Sequence, residues 1–343
     1  MAVKVKDLAA MLDLSPSTVS LVLNNRPGIS EATRTRVRDM VKELGCEELL
    51  GDEKEKKNII FIVYRKRNAA QEGSPYFSQI FSEIIEGVES QIKARGYNLL
   101  VSYVDRDSAV KVAAGIDREQ AEGVLILATE MRKEQLNAFA QIQMPVVIVD
   151  NYVQHKSFDC ITINNEQGVN EVVKHFVEMG HTDIGYLHVS DNANNFTERY
   201  YGFLRSMDSL GLECPKSRII NISTDGGEAV YQSLKEALSR VETMPTAFFS
   251  DNDIIAVYAM RIFREMGYRI PEDISIAGFD NIAFLEVLDP PLTSIQVPKH
   301  KMGIVAANTL IDKIKEPVEG VVKIEVCTSL VVRGSVCRRG HED

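Results

Sequence analysis

Four short clusters of charged, amide and aromatic residues stand just beyond apolar runs of this 343-residue chain, and one arginine completes them. Ser74-Pro75-Tyr76-Phe77 comes after Asn58–Val63, and Asp150-Asn151 follows Val146–Val149. Asp251-Asn252-Asp253 follows Thr246–Ser250, and Asp280-Asn281 follows Ile274–Gly278. Arg199 opens the helical stretch Glu198–Leu210 after the run Ile184–Val189. Tyr76, Phe77, Asp150, Arg199, Asn252 and Asp280 together suit a polyhydroxylated ring. Aromatic faces pack on its C–H groups, while carboxylate and guanidinium grip neighbouring hydroxyls. Each residue also has a plainer reading. Tyr76 or Phe77 can fill the core of the first long helix. Asp251 and Asp280 can cap helices, and Arg199 can pair with a surface acid.

A second polar set lies near the N-terminus, on Ser15-Pro16-Ser17-Thr18-Val19-Ser20. Ser15 is a good helix N-cap, and Pro16 falls at the first helical position, where its missing N–H costs nothing. Val19, Val22 and Leu23 mark a buried face, which turns Ser17, Thr18, Ser20, Leu21 and Asn24 outward. Such short groups reach base edges and phosphates in a DNA groove.

The elements that must carry these residues follow from apolar spacing. Val5, Leu8, Ala9 and Leu12 recur at helical intervals, and Asp13-Leu14-Ser15 makes a turn. Ser30 caps a third helix whose inner face reads Val37, Met40, Val41 and Leu44, and Gly45 ends it. Residues 1–45 thus read as a helix-turn-helix DNA-binding unit, the alternative being a generic three-helix packing unit. Residues 46–57, CEELLGDEKEKK, form a charged linker. Beyond it, Asn58–Val63, Asn98–Tyr103, Gly123–Leu127 and Pro145–Val149 are strand-like runs separated by helical stretches such as Phe77–Arg95. A second series follows at Ile184–Val189, Arg218–Ile222, Thr246–Ser250 and Ile274–Gly278. Strands alternating with helices give parallel sheets, and two series give two doubly wound α/β lobes with a cleft between them.

Composition narrows the function. The formal net charge of −10 excludes a generally basic nucleic-acid-coating surface. Residues 1–45 hold seven Lys or Arg against five Asp or Glu, so DNA affinity must come from a local patch and from dimerisation. No apolar run is long enough to span a membrane, and the N-terminus has no secretory pattern, so a cytoplasmic protein is expected. The five cysteines are scattered, with no CxxC, and read as reduced thiols. No GxSxG, Walker loop, GxGxxG after a strand or HExxH occurs, so the chain reads as no enzyme, with no metal and no cofactor. His181, after Gly180, reads as a turn residue rather than a ligand.

The headpiece residues Ser15–Ser20, Val22-Leu23-Asn24, Ile29–Arg34 and Val37 resemble the DNA-binding unit of the lactose-repressor family of bacterial transcription regulators. The resemblance continues through Gly278–Asp280, Pro290–Thr293 and Val332–Ser335, and so covers nearly the whole chain. It implies operator contacts from Ser15, Pro16, Ser17, Thr18, Ser20, Leu21, Asn24, Thr33 and Arg34. It also implies that Arg199, Asn252 and Asp280 line an effector cleft, and that the chain crosses three times between lobes. One lobe, next to DNA, would comprise 58–161 and 291–320. The other would comprise 162–290 and 321–335, leaving 336–343 as a tail.

Three positions depart from the family. Leu21 stands where an operator-reading Arg is common, and Leu cannot make its paired hydrogen bonds to guanine. The linker has no Pro, Asn or Arg and holds five acids against three lysines, which argues against a hinge helix wedged into the minor groove. Asn164 replaces a usual Asp, so no role is carried onto it. The resulting expectation is a homodimeric transcriptional repressor that binds double-stranded operator DNA under control of a small metabolite, most suitably a sugar. The rival is a sugar sensor with weak or lost operator binding.

Overall fold

The computed structural model describes residues 4–24, 26, 28–46, 49, 57–65, 75–132, 134–152, 158–190, 193–222, 227–317 and 319–339, with backbone alone at 75–80 and 227–228. They fall into two compact units, Met1–Lys57 and Asn58–Asp343.

The first unit holds helices α1 (Val5–Leu12), α2 (Pro16–Leu23) and α3 (Glu31–Glu43). Ser15 Oγ accepts the Thr18 backbone N–H at 3.0 Å, and Ser30 Oγ accepts that of Thr33 at 3.3 Å, so both expected caps form. Leu8, Ala9, Leu12, Val19, Val22, Leu23, Val37 and Val41 make one core. Leu44 is not part of it. It is 38% exposed, and Cys46 fills the place expected for it. The reason is that α3 ends at Glu43 and Gly45 turns the chain with φ +62°, bringing Cys46 back onto the core. The linker lies outside the described residues apart from Cys46, Leu49 and Lys57. Leu49 is half-buried against the headpiece core, and its N–H donates to Cys46 O.

The second unit is built on two six-stranded sheets. Strands β1 (Asn58–Tyr64), β2 (Asn98–Val104), β3 (Gly123–Leu127), β4 (Val146–Val149), β5 (Asp159–Ile163) and β11 (Lys323–Val326) form the first, in the order β11-β5-β4-β3-β1-β2. Strands β6 (Ile184–Val189), β7 (Ile219–Ile222), β8 (Ala247–Ser250), β9 (Ser275–Asp280), β10 (Thr293–Gln296) and β12 (Ser329–Val331) form the second, in the order β12-β10-β9-β8-β6-β7. Pairings are parallel except β10 with β12. Helices cover both faces: α4 (Pro75–Ala94), α5 (Ala109–Gly115) and α10 (Lys299–Lys315) on the first sheet, and α6 (Asn165–Glu178), α7 (Asn194–Ser209), α8 (Gly227–Ser239) and α9 (Asp253–Glu265) on the second. Central strands β1, β3, β4 and β9 are buried on both faces, which is why they read as continuous apolar runs.

The lobe boundaries expected from the sequence need correction. Strand β10, assigned to the first lobe within 291–320, pairs with β9 in the second sheet, where Ser294 and Ile295 lie beside Gly278 and Phe279. Strand β11, assigned to the second lobe within 321–335, pairs with β5 in the first sheet. The three crossings therefore fall after Ile163, at Val297–Pro298 and at Cys327–Thr328. His181 is a satisfied buried residue: its two ring nitrogens lie 2.9 Å from Thr246 Oγ1 and 3.1 Å from Cys337 O.

Helices α4 and α10 pack with almost nothing between them. A Cβ on Gly87 would lie 2.1 Å from the His300 carbonyl oxygen, and one on Gly303 would lie 2.2 Å from that of Ile84. Only glycine permits backbones to meet so closely.

Candidate functional site

In the headpiece, Ser15, Pro16, Ser17, Leu21 and Asn24 are exposed, and Thr18, Ser20 and Thr33 are half-buried. Leu21 keeps 37% of its surface, so it stands on the outer side of α2 rather than in the core. Thr18 and Thr33 hydroxyls sit 2.8 Å from those of Ser15 and Ser30 and help hold the two caps. Asn24 turns its amide back onto Ser20 O at 2.8 Å. Arg34 is a correction. It is buried, shares the α3 face of Val37 and Val41, and donates to Arg26 O, so its guanidinium is engaged inside the unit. The i, i+3, i+7 spacing of 34, 37 and 41 is the helical reason.

The core site centres on Arg199, which is 3% exposed. It lies one turn inside α7, because that helix begins at Asn194 rather than at Glu198. Its Nε donates to Asn165 Oδ1 at 2.9 Å, Nη1 donates to Asp251 O, and Nη2 lies 3.4 Å from Asp280 Oδ1. The guanidinium carbon sits 3.7 Å from the centre of the Phe279 ring. The neighbouring parallel strands β8 and β9 deliver Asp251 and Asp280 to the same sheet edge. Asp280 has φ +108° and Asn281 φ +46°, two consecutive side-chain-bearing residues in the left-handed region.

Asp150 approaches from the other lobe, at the end of β4, with φ +59°. Its carboxylate accepts the Thr129 hydroxyl at 2.7 Å and the Asn195 amide, across the cleft, at 3.0 Å. Burial pushes its pKa up to about 6. Its hydrogen bonds and Arg199 oppose the rise, and Asp280 adds to it.

The remaining acids are engaged within the fold. Asp251 accepts from the Tyr186 hydroxyl, from Val189 N–H at 2.6 Å, and lies 2.8 Å from His188 Nδ1. Asp253 accepts the Ser294 hydroxyl at 2.5 Å and the Ile282 N–H at 3.0 Å. Burial, then the charge of Asp280, hold its carboxyl well above the usual range. Asn252, not Asp251, caps α9, its oxygen taking the Ile255 N–H at 2.9 Å. Asn164, where no role was assigned, caps α6 through the Gln167 N–H at 2.8 Å. Tyr76 and Phe77 open α4, and their side chains lie outside the described residues.

The structure thus gathers Asp150, Arg199 and Asp280, with Asn252 at the adjoining strand end. The sequence reading missed Thr129, Asn165, Asn195 and Lys299. Lys299 is 2% exposed and donates to Asp280 O at 2.6 Å. Asn165 and Asn195 each occupy the first two positions of a helix beside the cleft, a signal only once the helix starts are known. A separate polar groove of about 800 Å³ runs between α6 and α7, lined by Glu166, Glu198, Arg205 and Glu325 among others. It adjoins Asn165 but contains none of Asp150, Arg199 and Asp280.

Two family descriptions match the chain: bacterial regulatory proteins of the lacI family over residues 4–46, and a periplasmic binding protein-like domain over 173–336. The chain is 30% identical over 315 residues to an HTH-type transcriptional repressor PurR of Aliivibrio salmonicida (strain LFI1238), covering 91% of this chain and 92% of the relative. It is 31% identical over 324 residues to the protein of that name from Vibrio atlanticus (strain LGP32), with the same coverage, 91% and 92%. Among solved structures, the lac repressor dimer bound to operator and the anti-inducer ONPF superposes with a TM-score of 0.70 at 22% identity, over 98% of this chain and 100% of that one. The complex of the transcriptional regulator CelR with cellobiose gives 0.69 at 24% identity, over 97% and 99%.

Asp150 has a pH signature. Its pKa is raised on folding, so the folded state holds a proton that the unfolded chain releases near pH 4. That contribution is fully present below about pH 4 and is lost as pH rises to about 6. Asp150→Asn removes it. The variant should gain on the order of 1–3 kcal/mol relative to the parent between pH 4 and pH 7. Melting temperatures measured across that range check this; parallel curves for the two proteins would show that Asp150 does not titrate there.

Proposed function

Since the chain belongs to the lacI family of bacterial regulatory proteins, and is a DNA-binding transcriptional regulator with a small-molecule effector, we propose that this effector is a neutral polyhydroxylated compound, a sugar, held between the lobes. The observation that carries this reading is the single guanidinium of Arg199 set among the carboxylates of Asp280 and Asp150. A phosphate or carboxylate ligand would be repelled by the Asp150 and Asp280 carboxylates beside Arg199, while the Lys299 ammonium is turned onto the Asp280 carbonyl. Vicinal hydroxyls instead donate to the carboxylates and accept from Arg199 and the Asn252 amide. The relatives CelR and the lac repressor, solved with cellobiose and ONPF, support the choice.

On the DNA side, the exposed row Ser15, Pro16, Ser17 and Leu21 reads base edges. Thr18, Ser20, Asn24 and Thr33, turned toward caps and helix backbone, position α2 on the phosphates. Leu21 touches a thymine methyl where an arginine would read guanine.

The regulator acts as a homodimer, as the lac repressor does in its operator complex. In the first sheet β2 is an edge strand, and Leu100, Val101 and Tyr103 on it are 47%, 41% and 55% exposed. An apolar edge of this kind is a liability until a second copy covers it.

Four measurements test these assignments. Screening sugars, sugar phosphates and nucleobases by thermal shift should find the largest rise with an unphosphorylated sugar. Arg199→Ala and Asp280→Ala should each weaken that ligand roughly 10- to 100-fold, since a buried partner is left unpaired. Unchanged affinity in both would remove these residues from the site, and preference for a phosphorylated or planar ligand would overturn the sugar reading. In operator selection, Leu21→Arg should bring in a guanine at one symmetric position of each half-site, with discrimination of about 1–3 kcal/mol. The same selected site for both proteins would place Leu21 away from the bases. Val101→Glu should shift the sedimentation of the micromolar protein toward monomer, and an unmoved boundary would rule out the β2 edge as the interface.

A further inference from the structure

We propose that Lys299 registers the Asp280 turn of the second lobe against helix α4 of the first, and so carries effector occupancy from one lobe to the other. The inference rests on reading Asp280 as an effector contact.

The chain leaves the second sheet at Gln296 and crosses at Val297–Pro298, and Lys299 is the first residue of α10 in the first lobe. Its side chain nevertheless reaches back. The Nζ donates to the carbonyl of Asp280 at 2.6 Å, and the residue is 2% exposed. Burying an ammonium is costly unless hydrogen bonds and nearby opposite charge offset it. A lysine in the first turn of a helix also opposes the helix dipole. Both penalties are local, so the contact that offsets them constrains both ends.

One end is the turn that presents the Asp280 carboxylate to Arg199. Asp280 and Asn281 hold φ values of +108° and +46°, which persist only where surroundings fix them. Contacts that fix the turn include Asn281 N–H to Ser294 Oγ at 3.1 Å, the Asn281 side-chain amide to Gln296 Oε1 at 2.6 Å, Ile282 N–H to Asp253 at 3.0 Å, and Lys299 to Asp280 O. Of these, only Lys299 comes from the other lobe. The second end follows within one residue. The carbonyl of His300 rests directly on Gly87 of α4, with no side chain between them to absorb a shift. A displacement of Asp280 by a ligand thus reaches α4 through two consecutive residues, Lys299 and His300. Elements packed this closely move as one or repack in discrete steps.

Hydrogen exchange on the full-length, ligand-free protein tests this. In the wild type under mild urea, the amides of Asn281 and Ile282 and those of α4 around Gly87 should share one opening transition. Separate transitions for the two segments would overturn the proposal, even if the variant below fails to fold. In Lys299→Met, exchange of the turn amides should rise roughly tenfold or more, as expected for loss of a charged hydrogen bond, and the Gly87 segment should accelerate with them. A change confined to the turn, or to the first turn of α10, would leave Lys299 as a local support and sink the coupling. Because no ligand is present, these results stand apart from the site assignment, which the Arg199→Ala and Asp280→Ala affinities decide.

Discussion

A buried guanidinium sets the terms for the second lobe. Arg199 is nearly without solvent, so the protein groups that meet its donors must arrive in fixed positions. They come from three places: the start of α6 through Asn165, the end of β8 through the Asp251 carbonyl, and the end of β9 through Asp280. Each supplier is then held in turn. Asp251 is tied to β6 by Tyr186, His188 and Val189, and Asn165 donates to Glu198 and Asn195. Phe279 closes one face of the guanidinium.

Much of this was legible in the chain. Buried parallel strands announce themselves as unbroken apolar runs, so the central strands and the two-lobed α/β plan followed from pattern. The rule that ligands gather at the carboxyl ends of such strands then pointed to Asp150 and Asp280. The rest depended on approach rather than on type. Lys299 and Asn195 act across the cleft, and no local pattern says which lobe a side chain will reach. Strands β10 and β11 are four residues long, and nothing in TSIQ or KIEV states which sheet will accept them. Their partners are set by long-range pairing, so the resemblance placed each in the wrong lobe.

The headpiece shows the same division on a smaller scale. Caps at Ser15 and Ser30 are local chemistry and were readable. The burial of Arg34 was not, because the resemblance implied an operator contact there while its position on α3 faced inward. Likewise Leu44 fits the helical repeat but lies past the helix, and Cys46 takes its place. Leu49, one of two leucines in an acidic linker, packs on the headpiece core, which ties the start of that linker to the DNA-reading unit.

The exchange of β10 and β11 between sheets has a consequence for biogenesis. The first lobe completes its sheet with a strand at Lys323–Val326, although its other five strands end at Ile163. On a ribosome, those five strands emerge early and must wait while most of the second lobe is made. At about 5–20 residues per second that delay lasts on the order of ten seconds or more. During it the exposed edge of β5 has no partner, and helix α10, which covers β3, β4 and β5, has not been synthesised. The sheet begun first thus stays open until Val326, just before the second sheet receives its own last strand at Ser329–Val331, and neither lobe corresponds to a contiguous stretch that a truncation could preserve.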